Sequence, residues 1–133
     1  MGFTLVNELP TPAEILEQFP LADHLAALKK ERDEEIKKVI TGQSNKFLVI
    51  IGPCSADNED AVCDYANRLA KVQEATKDQL IIIPRVYTNK PRTTGEGYMG
   101  MLHQPDPEKK PDMLQGILAI RHMHMRVLRE TGM

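Results

Sequence analysis

The chain has 133 residues, 41% of them hydrophobic, and a formal net charge of −2. That is enough for one small domain with a core, and it excludes a disordered chain. It carries no overall basic footprint for nucleic acid, so any positive patch must be local.

Glu8 and several prolines stand where a signal peptide has a basic start and an apolar run. The longest apolar run is far short of a membrane span. Two cysteines, Cys54 and Cys63, fit no common zinc-knuckle spacing. The expectation is a soluble protein of a reducing compartment, located in the cytoplasm.

In chain order, LPTPAEILEQF starts a helix. Thr11 can cap it, Pro12 suits the first helical position, Glu14 completes a capping box and Pro20 ends it. LADHLAALKKERDEEIKKVITG predicts a long helix whose stripe is Leu21, Leu25, Leu28, Ile36 and Val39, with Gly42 just past its end. Its charged middle, Lys29 to Lys38, reads as a solvated face.

KFLVIIG (46–52) is a continuous apolar run, suited to a strand buried on both faces. DNEDAVCDYANRLAKVQEATKD predicts a helix capped by Asp57 or Asn58, with Val62, Leu69 and Val72 facing inward. QLIIIPRV is a second buried strand, and Pro84 predicts that pairing ends near it. A long loop follows from Tyr87 to about Pro111, and a last helix covers roughly Asp112 to Glu130.

From Lys46 onward the order is β-α-β-loop-α, which calls for a parallel sheet. Two such strands need neighbours and cover on both faces. A (β/α)8 barrel takes about 250 residues, so this sequence reads as the beginning of one.

Parallel α/β proteins build their sites at the carboxyl ends of the strands. GPCS (52–55) follows the first strand, and PRVYTNKPRTT (84–94) follows the second. Arg85, Lys90 and Arg92 lie in a stretch without Asp or Glu from Gln79 to Gly95. Arg85 can hold a carboxylate or phosphate bidentately. Lys90 can bind phosphate or donate a proton. Arg92 with Thr93 and Thr94 offers a second anion site. Alternatively, each cation pairs with an acid elsewhere in the fold.

Cys54 can be a small core residue, a nucleophile or a metal ligand; its place after Gly-Pro at a strand end favours the functional readings, and the sequence does not choose between thiolate attack and metal binding. A cysteine hydrolase needs a histidine base near Cys54, and no motif offers one. Cys63, beside Val62, reads as structural. His122 and His124 point to different sides of the last helix, and His124 reads as packed on the stripe of Met113, Ile117 and Leu128.

IGPCS followed about thirty residues later by RVYTNKPRTT closely resembles the class I 3-deoxy-D-arabino-heptulosonate 7-phosphate (DAHP) synthases, with their GPCS turn and R-V-Y-x-x-K-P-R-T-T segment. LPTPAEILEQFP is similar to the family's N-terminal arm. The resemblance runs from about Leu9 to the end.

It implies an α/β fold, the N-terminal part of a (β/α)8 TIM barrel preceded by a helical N-terminal extension. The expected division is an arm over 1–45 and the first β/α units over 46–133. The implied reaction condenses phosphoenolpyruvate with erythrose 4-phosphate, the first step of the shikimate pathway to aromatic amino acids. The implied cofactor is a divalent metal ion (Mn, Fe, Co or Zn).

By the same resemblance Cys54 is a metal ligand, Arg85 and Lys90 bind phosphoenolpyruvate, and Lys90 is catalytic. Pro91, Arg92, Thr93 and Thr94 receive erythrose 4-phosphate. A homo-oligomer is implied, with neither nucleic acid nor membrane as partner. The family's other metal ligands, a histidine, a glutamate and an aspartate, have no match here. The loop TTGEGYMGML lacks the tryptophan some members carry. The alternative is a non-catalytic fragment acting in subunit assembly or inhibitor sensing.

Overall fold

Thr11 opens the first helix as its chemistry requires. In the computed structural model, which describes residues 2, 4, 8–90, 92 and 94–133, the Thr11 N–H donates to the Glu14 carboxylate at 2.7 Å. The Thr11 hydroxyl accepts from the Glu14 N–H at 3.3 Å. This reciprocal box satisfies two donors that a helix start leaves unpaired. Helix α1 runs Pro12–Gln18 and buries Ile15.

Helix α2 spans Asp23–Ile40. Its apolar stripe is shallower than expected: Leu25 is buried, while Leu21, Leu28, Ile36 and Val39 are half-buried. Gly42, at φ +72°, turns the chain out of it.

Strand β1 (Phe47–Ile51) pairs in parallel with β2 (Leu80–Pro84), Phe47 opposite Leu80 and Ile51 opposite Pro84. Helix α3 (Glu59–Thr76) connects them. Its cap is Asn58, whose side chain accepts from the Ala61 N–H at 2.9 Å. Helix α4 (Met113–Thr131) follows the long loop. Asp112 caps its start, and Gly132, in the left-handed region at φ +68°, closes its end.

Among the described residues the architecture is thus four helices and one two-stranded parallel sheet. None of these helices is long and apolar enough to cross a membrane.

The core lies between α3, α4 and the loop. Val62, Cys63 and Ala66 of α3 meet Met123 and Val127 of α4, with Ala56 and Met101 from the connections. Helix α4 rests directly on the loop backbone. A side-chain carbon at Gly116 would sit 2.0 Å from the Leu102 carbonyl oxygen. Arg126 ties the two helices at the surface, reaching Glu59 at 2.8 Å, Asp60 at 2.6 Å and Glu130 at 2.7 Å.

Burial of the strands departs from expectation. In β2, Ile81 and Ile82 are buried, but in β1 Phe47 is 74% and Ile50 66% exposed. The apolar run makes the strand, and only neighbouring elements can cover it. Val72 of α3 is exposed as well.

The strand ends meet at Gly52. A Cβ there would lie 1.9 Å from the Arg85 carbonyl oxygen, a backbone atom that cannot swing away. Gly52→Ala should therefore cost about 1–3 kcal/mol of stability, the usual penalty for overpacking. Urea unfolding of the variant against the wild type checks this, and equal stability would contradict so close an approach.

Candidate active site

Both sequence stretches singled out above emerge on the same side of the sheet, because parallel strands share their carboxyl end. The Arg85 N–H donates to the Ile51 carbonyl at 2.9 Å, extending the ladder by one residue. The Ala56 N–H donates to the Tyr87 carbonyl at 2.9 Å. These two bonds clamp the turn at 52–56 against the start of the loop.

Within that clamp Cys54 is exposed and Lys90 reaches it, its Nζ donating to the Sγ at 3.2 Å. Arg85 leaves β2 beside them. Its Nη2 donates to the Pro53 carbonyl at 2.9 Å, and its guanidinium lies 4.8 Å from the centre of the Tyr87 ring. That stacking restrains the plane of the fork, and among the described residues most of its five donors have no partner.

Arg92 sits farther along. Its Nε donates to the Tyr98 carbonyl at 3.1 Å. The loop carrying it is pinched where the Lys90 N–H donates to the Met99 carbonyl at 2.8 Å. Gly100, at φ +104°, closes the same loop, since a Cβ there would meet the Thr88 carbonyl oxygen at 2.4 Å.

Three of the expected site residues, Cys54, Arg85 and Lys90, are therefore in one cluster. Arg92 belongs to it through its field and not through contact. Thr94 is exposed, its hydroxyl faces the Glu96 N–H at a long 3.5 Å, and among the described residues it makes no bond to the cluster. Pro91 and Thr93 lie outside the described residues.

The electrostatics follow from this placement. The Lys90 hydrogen bond holds the Cys54 thiol below its usual pKa. The Lys90 charge adds to that, desolvation opposes it more weakly than either, and Arg85 and Arg92 add smaller downward pulls. A cation stabilises the thiolate, so the sign is downward. Cys63 behaves oppositely, its thiol pushed up by burial. Among the described residues, no carboxylate lies within ion-pair distance of Arg85, Lys90 or Arg92. The reading in which each cation has an internal acid partner therefore finds no support there.

Two polar groups near this region were not foreseen. The Ser55 hydroxyl and the Tyr98 hydroxyl are both buried with no hydrogen-bond partner among the described residues. Ser55 stands inside the GPCS turn, which is the one signal that could have singled it out. Tyr98 carries no such signal, since a lone tyrosine after glycine is common in loops. Among the described residues, no group of three or more His, Cys, Asp or Glu side chains converges to hold a metal ion.

Comparison with known proteins now bears on this arrangement. The model of the DAHP synthetase I family matches residues 21–118. The chain belongs to the DAHP synthetase I family.

Curated relatives agree. The chain is 41% identical over 100 residues to a phospho-2-dehydro-3-deoxyheptonate aldolase of Haemophilus influenzae, covering 75% of this chain and 27% of that protein. It is 35% identical over 118 residues to the Phe-sensitive enzyme of that name from Escherichia coli, covering 89% and 33%. It is 34% identical over 122 residues to the phenylalanine-inhibited one of Saccharomyces cerevisiae, covering 90% and 32%. The chain thus spans about a third of the length of these relatives or less.

A solved structure of the Francisella tularensis phospho-2-dehydro-3-deoxyheptonate aldolase superposes with a TM-score of 0.89 at 24% identity. The superposition covers 99% of this chain and 38% of that one. That likeness shows the fold: this α/β arrangement matches part of a TIM-barrel protein. The family is generally metal-dependent.

In this DAHP synthetase I family chain, metal-free, the rate of Cys54 alkylation should rise with pH at a midpoint below that of an ordinary thiol. Lys90→Met should move the midpoint upward, because it removes the largest of the lowering influences. Iodoacetamide kinetics across pH, in chelator, measures both. An unshifted midpoint in Lys90→Met would contradict the contact.

Proposed function

We propose that this chain is the N-terminal part of a DAHP synthase, residues 1–45 forming a helical arm and 46–133 the first β/α units of a (β/α)8 barrel. The whole enzyme would condense phosphoenolpyruvate with erythrose 4-phosphate and release phosphate, opening the shikimate pathway. The observation that carries this reading is the meeting of Cys54 and Lys90 at 3.2 Å across two parallel strand ends, inside a cation cluster. The reading implies a cytoplasmic homo-oligomer, with the arm reaching a second subunit.

The roles follow from chemistry. Arg85, with its guanidinium plane held by Tyr87 and one arm tied to Pro53, would orient the carboxylate or phosphate of phosphoenolpyruvate. Lys90 would neutralise that phosphate and deliver a proton at the reacting centre. Arg92 leaves the loop beyond them and would bind the phosphate of erythrose 4-phosphate, with Pro91, Thr93 and Thr94 shaping that subsite. Holding both substrates within reach supplies much of the rate.

For a divalent metal, the donor chemistry fits in part. An exposed thiol pushed toward thiolate is a good donor for zinc, iron or cobalt, but one thiolate does not hold such an ion alone. Cys54 would thus contribute one ligand, and the bound ion would supply Lewis-acid polarisation of the aldehyde.

By itself the chain should release phosphate from the two substrates only at background, even with added manganese. Grafted in place of the matching third of the E. coli Phe-sensitive relative, it should give synthase turnover. In that graft Arg92→Ala should raise the KM for erythrose 4-phosphate about ten- to a hundredfold, the worth of one charge-assisted contact, and leave that for phosphoenolpyruvate nearly alone. Lys90→Ala should depress kcat, since a proton donor acts in the transition state. Steady-state kinetics with each substrate varied in turn decides. An Arg92→Ala effect confined to phosphoenolpyruvate would reverse the two subsites, and undiminished turnover in Lys90→Ala would remove its catalytic role.

A further inference from the structure

The orientation of Arg92 is set by the small loop that carries it. At the base of that loop the Lys90 N–H donates to the Met99 carbonyl at 2.8 Å. Inside it the Gly95 N–H donates to the Arg92 carbonyl at 3.2 Å, which makes 92–95 a turn. Gly95 at φ +72° and Gly97 at φ +85° supply the left-handed conformations that bring the chain back.

Arg92 folds across this turn. A Cβ at Gly97 would stand 3.9 Å from the Arg92 Cζ, so the guanidinium lies over that glycine. Its Nε donates to the Tyr98 carbonyl at 3.1 Å. That bond occupies one side of the guanidinium and leaves its outer edge, Nη1 with Nη2, whole. Among the described residues neither Nη atom has a hydrogen-bond partner. Such an edge meets two oxygens of one anion in parallel.

The carbonyl that sets this edge belongs to Tyr98. Thr94 to Gly97 are exposed, whereas Tyr98 is half-buried and its hydroxyl oxygen is wholly covered. Burial pushes the phenol's pKa up, and Asp57, just ahead of α3, is the charge that acts on it. The tip of the ring therefore lies on the side of the start of α3. A covered hydroxyl without a partner disfavours its own site, so packing of the ring is what holds Tyr98 in place.

We propose that Tyr98 is the positioning residue of the Arg92 subsite. Its anchored ring fixes the carbonyl that holds the Arg92 Nε, so Arg92 meets a phosphate group with its Nη1–Nη2 edge. That the phosphate belongs to erythrose 4-phosphate rests on the reading above, whereas the hold on Arg92 does not. Without the ring the charge stays but the side chain swivels, and binding must then order it.

Nuclear magnetic resonance of the labelled 133-residue chain reads the hold directly. In the wild type the Arg92 Nε–Hε proton should exchange more slowly than that of a free arginine. Tyr98→Ala should speed this exchange about tenfold, the factor one net hydrogen bond carries. It should also weaken inorganic phosphate at the Arg92 signals about three- to tenfold, with Arg85 titrating as in the wild type. Tyr98→Phe keeps the ring, drops the unpaired hydroxyl and should match the wild type in both measurements.

Unchanged exchange or unchanged phosphate affinity in Tyr98→Ala overturns the proposal, and so does Tyr98→Phe behaving like Tyr98→Ala. Should Tyr98→Ala fail to fold, Tyr98→Leu takes its place, and an unprotected Arg92 Nε–Hε in the wild type overturns the proposal by itself. In the graft, Tyr98→Ala should raise the KM for erythrose 4-phosphate about three- to tenfold with little change in kcat. If Arg92→Ala leaves that KM unmoved, the erythrose 4-phosphate reading fails and the exchange data still judge Tyr98. If Arg92→Ala raises it and Tyr98→Ala does not, the positioning role fails.

Discussion

Gly52 leaves no room for a side chain between itself and the backbone of Arg85. Everything at the carboxyl end of the sheet depends on that approach. It lets the β1 chain turn at once instead of diverging, so Cys54 comes back over the end of β2. It also lets the ladder continue one residue to Arg85, which fixes where that guanidinium starts. The 3.2 Å meeting of Lys90 and Cys54, residues 36 apart in the chain, is a consequence of these two facts and of the pinched loop that returns at Met99.

Charge then does the rest. Three cations without an ion-paired carboxylate among the described residues make a region of positive potential. In isolation such a cluster is destabilising, because like charges repel at close range. It persists here because each cation has a different anchor: the Pro53 carbonyl and Tyr87 ring for Arg85, the Cys54 sulfur for Lys90, the Tyr98 carbonyl for Arg92. The carbonyl and ring anchors of Arg85 and Arg92 hold position without cancelling charge.

Local features were legible in the sequence, and distant ones were not. Thr11 with Glu14, and Asn58 as one of two cap candidates, act within a turn of their own helices, so residue type and spacing suffice to find them. The bounds of β1 and β2 follow likewise from apolar runs stopped at Gly52-Pro53 and at Pro84. Burial was harder, because it is decided by partners: Phe47 and Ile50 look as apolar as Ile81 and Ile82, yet they are exposed. His124, expected on an apolar stripe, has an exposed side. The Arg126 network, the hydrogen bonds of Gln73 and Arg32 to the backbone of β2 and the buried Tyr98 hydroxyl join residues far apart or carry no periodic signal. In the candidate site, the motifs named Cys54, Arg85 and Lys90, but nothing in their spacing foretold a direct thiol–ammonium contact.

The central claim is that this stretch of chain already holds an anion-receptive cluster at the strand ends. The most direct measurement is a titration of the isotopically labelled chain with phosphoenolpyruvate, followed through backbone amides and arginine Nε signals. The account predicts shifts concentrated at 52–56 and 85–100, strongest at Arg85 and Lys90 and reduced by inorganic phosphate as competitor. Shifts centred instead on the lysines at Lys109 and Lys110, or spread evenly over the charged face of α2, would contradict it.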